Sequence, residues 1–460
     1  MKTNIIISFI ILFPYFLFSV NQDDKNYNIP IIYKDKPKKK IPEKEKLNRK
    51  KKKYWEKSNR IFHRFARNSK FSDNNPSNLA IKSPFYYFRI DFLNIDLNFT
   101  NKSISPQLLI DHFTSGERLN STSQNEISSS FENLYLMTNL NVKPLRIELG
   151  KMLFSSNIHN MINGNFQGEL LSIPFSNLGL GNEYNQNLDI EILSYIKNSI
   201  GLGRSFKTNF ATFRAGINYN YLMGLAYLKT EIDTFSLINE LGNVNANINL
   251  SIEGNKLIWD ALSDSGLTQI TNNHFSEISN GFDLGFGVNL KKLIHQNFDI
   301  ELLIENISSS LTFKNSTKKT YSTNIYANNL IEFGDSLSNN TIDTLSINKN
   351  ISIEIPSITS ILATYQPIPQ LVVSGGFKKY SKNFIINNSK PNIYLKTALY
   401  PNNWLNISYG IQSKNSQIIQ SLGLGFQSNI IDLLVDLSSY DGILNSSNGL
   451  GISFRLSLYF

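Results

Sequence analysis

The sequence contains no cysteine and only five histidines in 460 residues. Without cysteine there is no disulfide scaffold, no Cys-ligated zinc site and no thiol nucleophile. The histidines lack metal-ligand spacing, and the chain has no phosphate-binding loop, dinucleotide fingerprint or calcium loop. We therefore predict no metal site, no cofactor and no catalytic residues, and we do not expect an enzyme. The histidines are His63, His112, His159, His274 and His295.

Long apolar runs are also missing, with one exception at the N-terminus. Ile5 to Phe18 is strongly apolar, follows Met1 and Lys2, and ends before the small residue Ser19. The run is shorter than the roughly 20 residues that a spanning helix needs. The pattern is typical of a signal peptide, which we place at residues 1–19, so we expect export. An uncleaved membrane anchor is the alternative.

The formal net charge of +9 arises from one segment. Residues 34–70 contain 17 Lys and Arg against 4 Asp and Glu, so the rest of the chain is not basic. We predict that residues 20–80 form a basic periplasmic extension, disordered or partly helical. Residues 34–70 would bind an acidic periplasmic partner or an anionic membrane surface, or act as a solvated tether. Because export removes the chain from the cytoplasm, we expect no nucleic-acid partner.

Most of the chain after residue 80 alternates between apolar and polar residues. The last ten residues show this most clearly, because Ser453, Arg455, Ser457 and Tyr459 alternate with an apolar row. Alternation with period two indicates β-strands with one apolar face and one polar face. The apolar row comprises Ile452, Phe454, Leu456, Leu458 and Phe460.

Three features favour a transmembrane barrel over a soluble sandwich. The alternating spans run for about 10 to 15 residues, longer than usual soluble strands, and their second face carries Gly, Ser, Asn and charges. The chain also ends in a Phe that completes the apolar row. Phe454, Leu456, Leu458 and Phe460 resemble the C-terminal insertion signal of bacterial outer-membrane barrels. We therefore predict an all-β, antiparallel transmembrane barrel over residues 81–460, with outer-membrane lipid and the barrel assembly machinery as partners.

The spans number about 14, an even count that places both termini in the periplasm. Short connections fall on one side and long ones on the other. We expect a tight turn at Val142–Lys143, just before Pro144. Residues 155–189 lack clean alternation and contain several glycines, so we interpret them as a plug or lumen-facing segment, with a surface loop as the alternative.

Charged residues on the polar faces are the candidate lumen-facing site. A ring of such charges inside the barrel would set the electric field that a solute crosses. Alternatively, its opposite charges pair across strands and hold the barrel rigid. The residues are Arg214, Asp283, Lys291, Asp299, Glu301, Glu305, Asp432, Asp436 and Arg455.

Several glycine-rich strand motifs resemble FadL/PorV-like outer-membrane barrels, in particular an uncharacterised Bacteroidota barrel family, and more distantly PorP/SprF-like proteins. They include Asn165-Phe166-Gln167-Gly168, Ile200-Gly201-Leu202-Gly203-Arg204, Ala215-Gly216-Ile217-Asn218-Tyr219 and Gly281-Phe282-Asp283-Leu284-Gly285. The resemblance implies a fourteen-stranded barrel in the outer membrane. In some members such a barrel takes up hydrophobic solutes, and in others it serves protein secretion.

Two functions follow as hypotheses. The first is transport of a small or hydrophobic molecule across the outer membrane. The second is a non-conducting barrel that anchors or assists protein secretion or cell-envelope assembly, a role favoured by the basic extension.

Overall fold

The computed structural model describes residues 58–65, 73–81, 87–101, 125, 129–130, 133–168, 183–240, 243–263, 271–291, 297–327, 343–387, 389–402, 404–442 and 447–460. The predicted signal peptide lies outside these residues, as does most of the basic segment. In the described part, the predicted all-β antiparallel barrel is confirmed, because one sheet closes on itself.

The sheet consists of long strands whose alternating residues face opposite sides. The strands are β1 (Phe88–Asn101), β2 (Asn133–Leu149), β3 (Met152–Gly168), β4 (Glu183–Lys207), β5 (Thr212–Glu240), β6 (Asn243–Gly254), β7 (Ser279–Asn289), β8 (Asn297–Ile307), β9 (Ser310–Ala327), β10 (Asp343–Glu354), β11 (Ile358–Ile368), β12 (Leu371–Tyr380), β13 (Asn392–Leu399), β14 (Leu405–Lys414), β15 (Gln417–Gln427), β16 (Ile431–Tyr440) and β17 (Gly449–Tyr459).

The sheet contains 17 strands within the described residues, three more than the expected count of about 14. The circuit of hydrogen-bonded neighbours runs from β1 through β5 to β7 and β8, then from β11 through β17 and back to β1. The extra strands lie beside the far half of β5, where β6 pairs with β5, β9 with β6, and β10 with β9. They extend the wall of the barrel beyond β7 and β8.

One end of the barrel carries short connections and the C-terminus, and we call it the turn end. Its turns include residues 150–151 and 208–211. At this end the Phe460 amide donates to the Phe88 carbonyl at 2.8 Å, which closes the seam between β17 and β1. The opposite end, which we call the loop end, carries β6, β9 and β10.

Two predicted boundaries near the N-terminal strands are wrong. Val142 and Lys143 lie inside β2, and the turn falls eight residues later, around Gly150. Residues 155–168 belong to β3 and residues 183–189 to β4, so these parts of the expected plug form the barrel wall. The remaining residues of that segment, 169–182, lie outside the described ranges.

The outward faces are apolar and the inward faces are polar or small. On β15, Leu422, Leu424 and Phe426 are each about half exposed, while the intervening Gly423 and Gly425 face inward. Large exposed aromatic rings gather at the turn end, among them Trp404, Phe206, Phe210 and Phe460. The apolar band thus encircles the outside of the sheet.

Helical segments are few in the described residues. Residues 58–65 are helical (α1), followed by the 3₁₀ helix η1 (Pro76–Ala80), the short helix α2 (Lys256–Ala261) and the 3₁₀ helix η2 (Asn272–His274). Among these segments, none is both long and apolar enough to cross a membrane.

The seam can be tested directly because the chain is free of cysteine. Leu97 of β1 is paired with Ile452 of β17, and both side chains face outward. Paired residues of neighbouring antiparallel strands have Cα atoms about 4.5 to 5.5 Å apart, within the range that a disulfide spans. The double variant Leu97→Cys/Ile452→Cys should therefore cross-link on oxidation, seen as a mobility shift in denaturing, non-reducing electrophoresis.

The control pairs Leu97→Cys with Leu437→Cys, which lies opposite Ile452 on β16 and thus one strand further from β1. This pair should stay uncross-linked. Equal cross-linking of both pairs, or of neither, would contradict the closure of β17 on β1.

Candidate functional site: the plugged lumen

The lumen is occupied by the chain's own N-terminal segment, residues 73–81, which we call the plug. Its 3₁₀ helix η1 packs against β4, β5 and β7 and is buried throughout. Asn75 caps this helix by accepting a hydrogen bond from the Ser77 amide at 3.0 Å. Residues 73–80 were predicted to lie in a periplasmic extension, but their contacts are with inward-facing residues of the barrel.

Three paired glycines form the surface on which the plug rests. Gly203, Gly216 and Gly285 lie side by side on β4, β5 and β7. A Cβ atom added to Gly216 would come within 2.3 Å of the Pro76 carbonyl, and one added to Gly285 within 2.8 Å of the Ser77 amide nitrogen. Because these neighbours are backbone atoms, a side chain at either position would displace the plug.

An ionic cluster holds the first residue of the plug. The Asp73 carboxylate pairs with Lys143 at 2.5 Å, with Arg146 at 3.0 Å and with Arg455 at 3.6 Å. Arg146 also contacts Glu148 at 2.6 Å, and Arg89 pairs with Asp91 at 2.7 Å in the same cluster. Hydrogen-bonded charge pairs of this kind are stable in a buried site only when all partners are present. The plug thus supplies a carboxylate that the barrel's cations need.

The electrostatics of this cluster favour ionised Asp73. Burial raises the pKa of Asp73, but the nearby Lys143, Arg146 and Arg455 outweigh it and hold the pKa well below its usual range. The carboxylate is therefore charged across the physiological pH range.

Amide side chains of the plug bind two carboxylates of β8. Asn75 and Asn78 each donate to the Glu301 Oε2 atom at 2.9 Å, and Asn74 donates to Glu305 at 3.1 Å. Each such bond to a charged acceptor contributes about 1.5 to 3 kcal/mol. These bonds fix the plug to β8, whereas the Asp73 cluster fixes it to β2.

Helix α1 occupies the lumen nearer the turn end. Arg64 pairs with Asp432 at 3.2 Å and donates to the carbonyl of Ser428, a turn residue. On the apolar side of the helix, Ile61, Phe62 and Phe65 bury against Val372, Ala398 and Tyr400. Phe62 and Phe65 of this helix thus contact the inner wall of the barrel.

Each predicted lumen-facing residue has a polar partner in the structure. Five of the nine contact α1 or the plug, and the other four pair with residues of the barrel. The first group is Lys291 (with Asn59), Glu301, Glu305, Asp432 and Arg455. The second group is Arg214 with Asp299 at 2.6 Å, Asp283 with Lys197 at 3.0 Å, and Asp436 with Lys396 at 3.0 Å.

A cavity of about 230 Å³ lies in the lumen on the loop-end side of the plug. Asn74 of the plug and Glu305 of β8 belong to its lining, together with amides from β2 and β3 such as Asn141 and Asn157. The cavity therefore directly adjoins the plug.

A cluster of buried apolar side chains lies towards the loop end of the barrel. Leu193, Leu222, Leu311 and Phe313 are fully buried there, and Ile386, from the connection between β12 and β13, packs onto them. The Ile386 carbonyl accepts a hydrogen bond from Asn415 at 2.6 Å. The plug and this cluster thus lie at different levels along the barrel.

Of the three cations that hold Asp73, the sequence pattern identifies Arg455 but not Lys143 and Arg146. The turn expected at residues 142–143 interrupts the alternating pattern of β2. The pattern therefore does not show that Lys143 and Arg146 face inward. The stretch Asn75-Pro76-Ser77-Asn78 carried a signal, because Asn followed by Pro favours a capped helical turn. Its partners could not be found without the strand register.

Comparisons with known proteins give matches among solved structures only. No family model matches the chain, and no curated protein matches it. Among solved structures, the chain is similar to a TodX deltaS2S3 mutant monoaromatic hydrocarbon channel, with 11% identity, a TM-score of 0.45 and coverage of 84% of this chain and 92% of that one. It is also similar to the Ralstonia pickettii toluene transporter TbuX, with 9% identity, a TM-score of 0.42 and the same coverages.

A third similar structure is a Pseudomonas aeruginosa FadL homologue, with 9% identity, a TM-score of 0.33 and coverage of 84% of this chain and 92% of that one. The uncharacterised Bacteroidota family and the PorP/SprF-like proteins have no matching counterpart at the level of sequence.

Substituting a glycine beneath the plug should release it. In Gly216→Val, the new side chain would overlap Pro76, and overpacking of this kind costs roughly 1 to 3 kcal/mol. We expect amide hydrogen exchange of residues 74–81 to accelerate by about tenfold or more, while the exchange of β14 and β15 stays unchanged.

The control is Gly375→Ala, where the added Cβ meets its nearest neighbours at ordinary contact distances of 3.4 and 3.5 Å. If Gly216→Val left the exchange of the plug as slow as in this control, the packing of η1 on the glycines would be refuted.

Removing the Asp73 charge should destabilise the protein at neutral pH. Breaking a buried ion pair from one side costs about 3 to 5 kcal/mol, so Asp73→Asn should lower the melting temperature at pH 7. Because the pKa of Asp73 is lowered, its contribution is present above the unperturbed value of about 3.9 and is lost as the pH falls through the lowered pKa. The difference from wild type should therefore be constant from pH 5 to 8 and shrink below about pH 4.

Asp441→Asn makes the same chemical change at an exposed loop-end carboxylate that caps the Ile418 amide, and it should show a much smaller effect. A difference between Asp73→Asn and wild type that is independent of pH would argue against the ionic role of Asp73.

Proposed function

We propose that the protein is an outer-membrane channel for a small solute, held closed by its own N-terminal plug. The closed barrel with an apolar outer band supports the membrane location. A soluble protein rarely exposes contiguous apolar surface beyond a few hundred Å², whereas a barrel in lipid requires it. The exposed aromatic rings at the turn end fit the girdle that such barrels place at a membrane interface.

The orientation follows from the same features. The short turns and the last residues of β17 lie at one end of the barrel. The additional strands β6, β9 and β10 lie at the other end. In outer-membrane barrels the short turns face the periplasm and the long connections face outside. We propose that the turn end and both termini are periplasmic, as the sequence indicated.

The observation that carries the channel proposal is the polar docking of the plug. The plug belongs to no strand of the barrel, and it is held by hydrogen bonds and ion pairs to Glu301, Glu305, Lys143 and Arg146. Water can replace these side-chain contacts when the segment moves, whereas removal of a strand would leave its whole ladder of backbone hydrogen bonds unpaired. The sheet therefore stays intact when the plug leaves.

A non-conducting anchor for secretion or envelope assembly is the second candidate. It is favoured by the apolar cluster at the loop end, whose buried side chains pack together separately from the plug. In that case the lumen would stay impermeable whatever happens to the plug.

Conductance separates the two functions. Purified wild-type protein in planar bilayers should open rarely, and Asp73→Asn should raise the frequency of opening at least tenfold, because the plug loses its ionic contacts. Asp441→Asn serves as the control and should behave as wild type.

Hydrogen exchange of residues 74–81 on the same samples reports whether the plug has been released. If the plug is released in Asp73→Asn and the bilayer still shows no openings, the channel proposal fails and the anchor function is supported.

A further inference from the structure

The cavity beside the plug is lined mainly by neutral polar side chains. Strands on several sides of the barrel contribute them, and apolar side chains such as Met161, Ile355 and Ile419 lie between them. Its amides are Asn74, Asn98, Asn139, Asn141, Asn157, Asn306, Asn387, Asn392 and Gln412. An amide carries both a donor and an acceptor, so this lining presents both kinds of partner in many directions.

Two of the three lysines in the lining are paired with carboxylates of the protein. Lys197 is paired with Asp283 at 3.0 Å and also donates to Asn306, and Lys378 lies 3.6 Å from Glu305. Asp96 accepts a hydrogen bond from Asn98 at 3.2 Å. A charged solute would have to compete with these internal pairs, so the cavity favours an uncharged one.

Several buried groups in the lining have no hydrogen-bond partner in the described part of the chain. They are the side-chain oxygens of Asn141, Asn157, Asn387 and Asn392 and the Nε2 atom of His159. Asn157 is 4% exposed and Asn392 is 2% exposed. A buried polar atom without a partner costs about 1 to 3 kcal/mol, so an amide that turns towards a ligand and gains a partner there would recover that energy.

Aromatic rings stand among these amides. Tyr195 stacks on His159 with ring centroids 4.7 Å apart, and the Tyr440 hydroxyl donates to Asn98 at 2.9 Å. Tyr380 also belongs to the lining. Rings offer flat apolar faces, while the amides offer paired donors and acceptors. Both are needed to bind a molecule with hydroxyl groups around its edge and C–H groups on its faces.

We propose that this cavity binds a neutral saccharide of one or two sugar units. The proposal rests on the proposed channel and names the class of its solute. A purely apolar solute is disfavoured, because it would leave the partnerless oxygens of Asn157 and Asn392 buried beside it.

The test is isothermal titration of the purified full chain in lipid nanodiscs. The probes are glucose, galactose, mannose, N-acetylglucosamine, maltose and sucrose, with toluene as the apolar comparator. At least one saccharide should bind saturably with a stoichiometry near one, and toluene should not displace it.

Substitutions locate the site. Asn157→Leu on β3 and Asn392→Leu on β13 should each weaken saccharide binding at least tenfold. Each substitution removes a buried side-chain oxygen that has no partner, so the variants should still fold. Heat-modifiable electrophoretic mobility checks that they do. Asn163→Leu is the matched control, because Asn163 lies on β3 beyond the lining and its side-chain oxygen also lacks a partner. It should bind saccharide as wild type does.

Absence of binding for all six saccharides, or equal loss in Asn163→Leu, overturns the proposal. Displacement of the saccharide by toluene overturns it as well. Saccharide binding without conductance would support this binding site and contradict the channel. Conductance in Asp73→Asn without saccharide binding would support the channel and contradict this binding site.

Discussion

The docking of the plug onto glycine backbone is the contact on which the interior of this barrel depends. Pro76 approaches β5 so closely that no side chain fits at Gly216, and this approach brings Asp73 to the cations of β2 and the amides of η1 to Glu301. Without it, the buried charges of the wall would lose their partners inside a sealed lumen, at a cost of several kcal/mol for each charge. The plug therefore completes the electrostatics of the barrel as well as closing it.

Much of the wall could be predicted from the sequence because the rule that governs it is local. A strand with lipid on one side and a polar lumen on the other must alternate, and the last strands show this clearly. The row that ends in Phe460 lies on β17, where it meets β1 and β16. The same alternation assigns the charged residues of β8, from Asp299 to Glu305, to the inward face.

The errors arose where distant pairing overrides local signals. Pro144 suggested a turn, but β2 accommodates it at a bulge, because the register with β3 shifts between Val142 and Leu145. Gly164 and its asparagine neighbours suggested a loop, yet β3 is paired on both sides, which holds them in a strand. Likewise, the glycines beneath the plug meet only because β5 pairs with β7 past β6, and no local pattern records that pairing.

The central claim is that residues 73–81 fill the lumen, and cysteine labelling tests it most directly. Ser77 is fully buried in η1, Ser381 is exposed at the loop end, and the chain has no cysteine of its own. In lipid, Ser77→Cys should react with a polar maleimide at least a hundredfold more slowly than Ser381→Cys, and the two rates should converge on unfolding. Equal rates in the folded protein would contradict the plugged lumen.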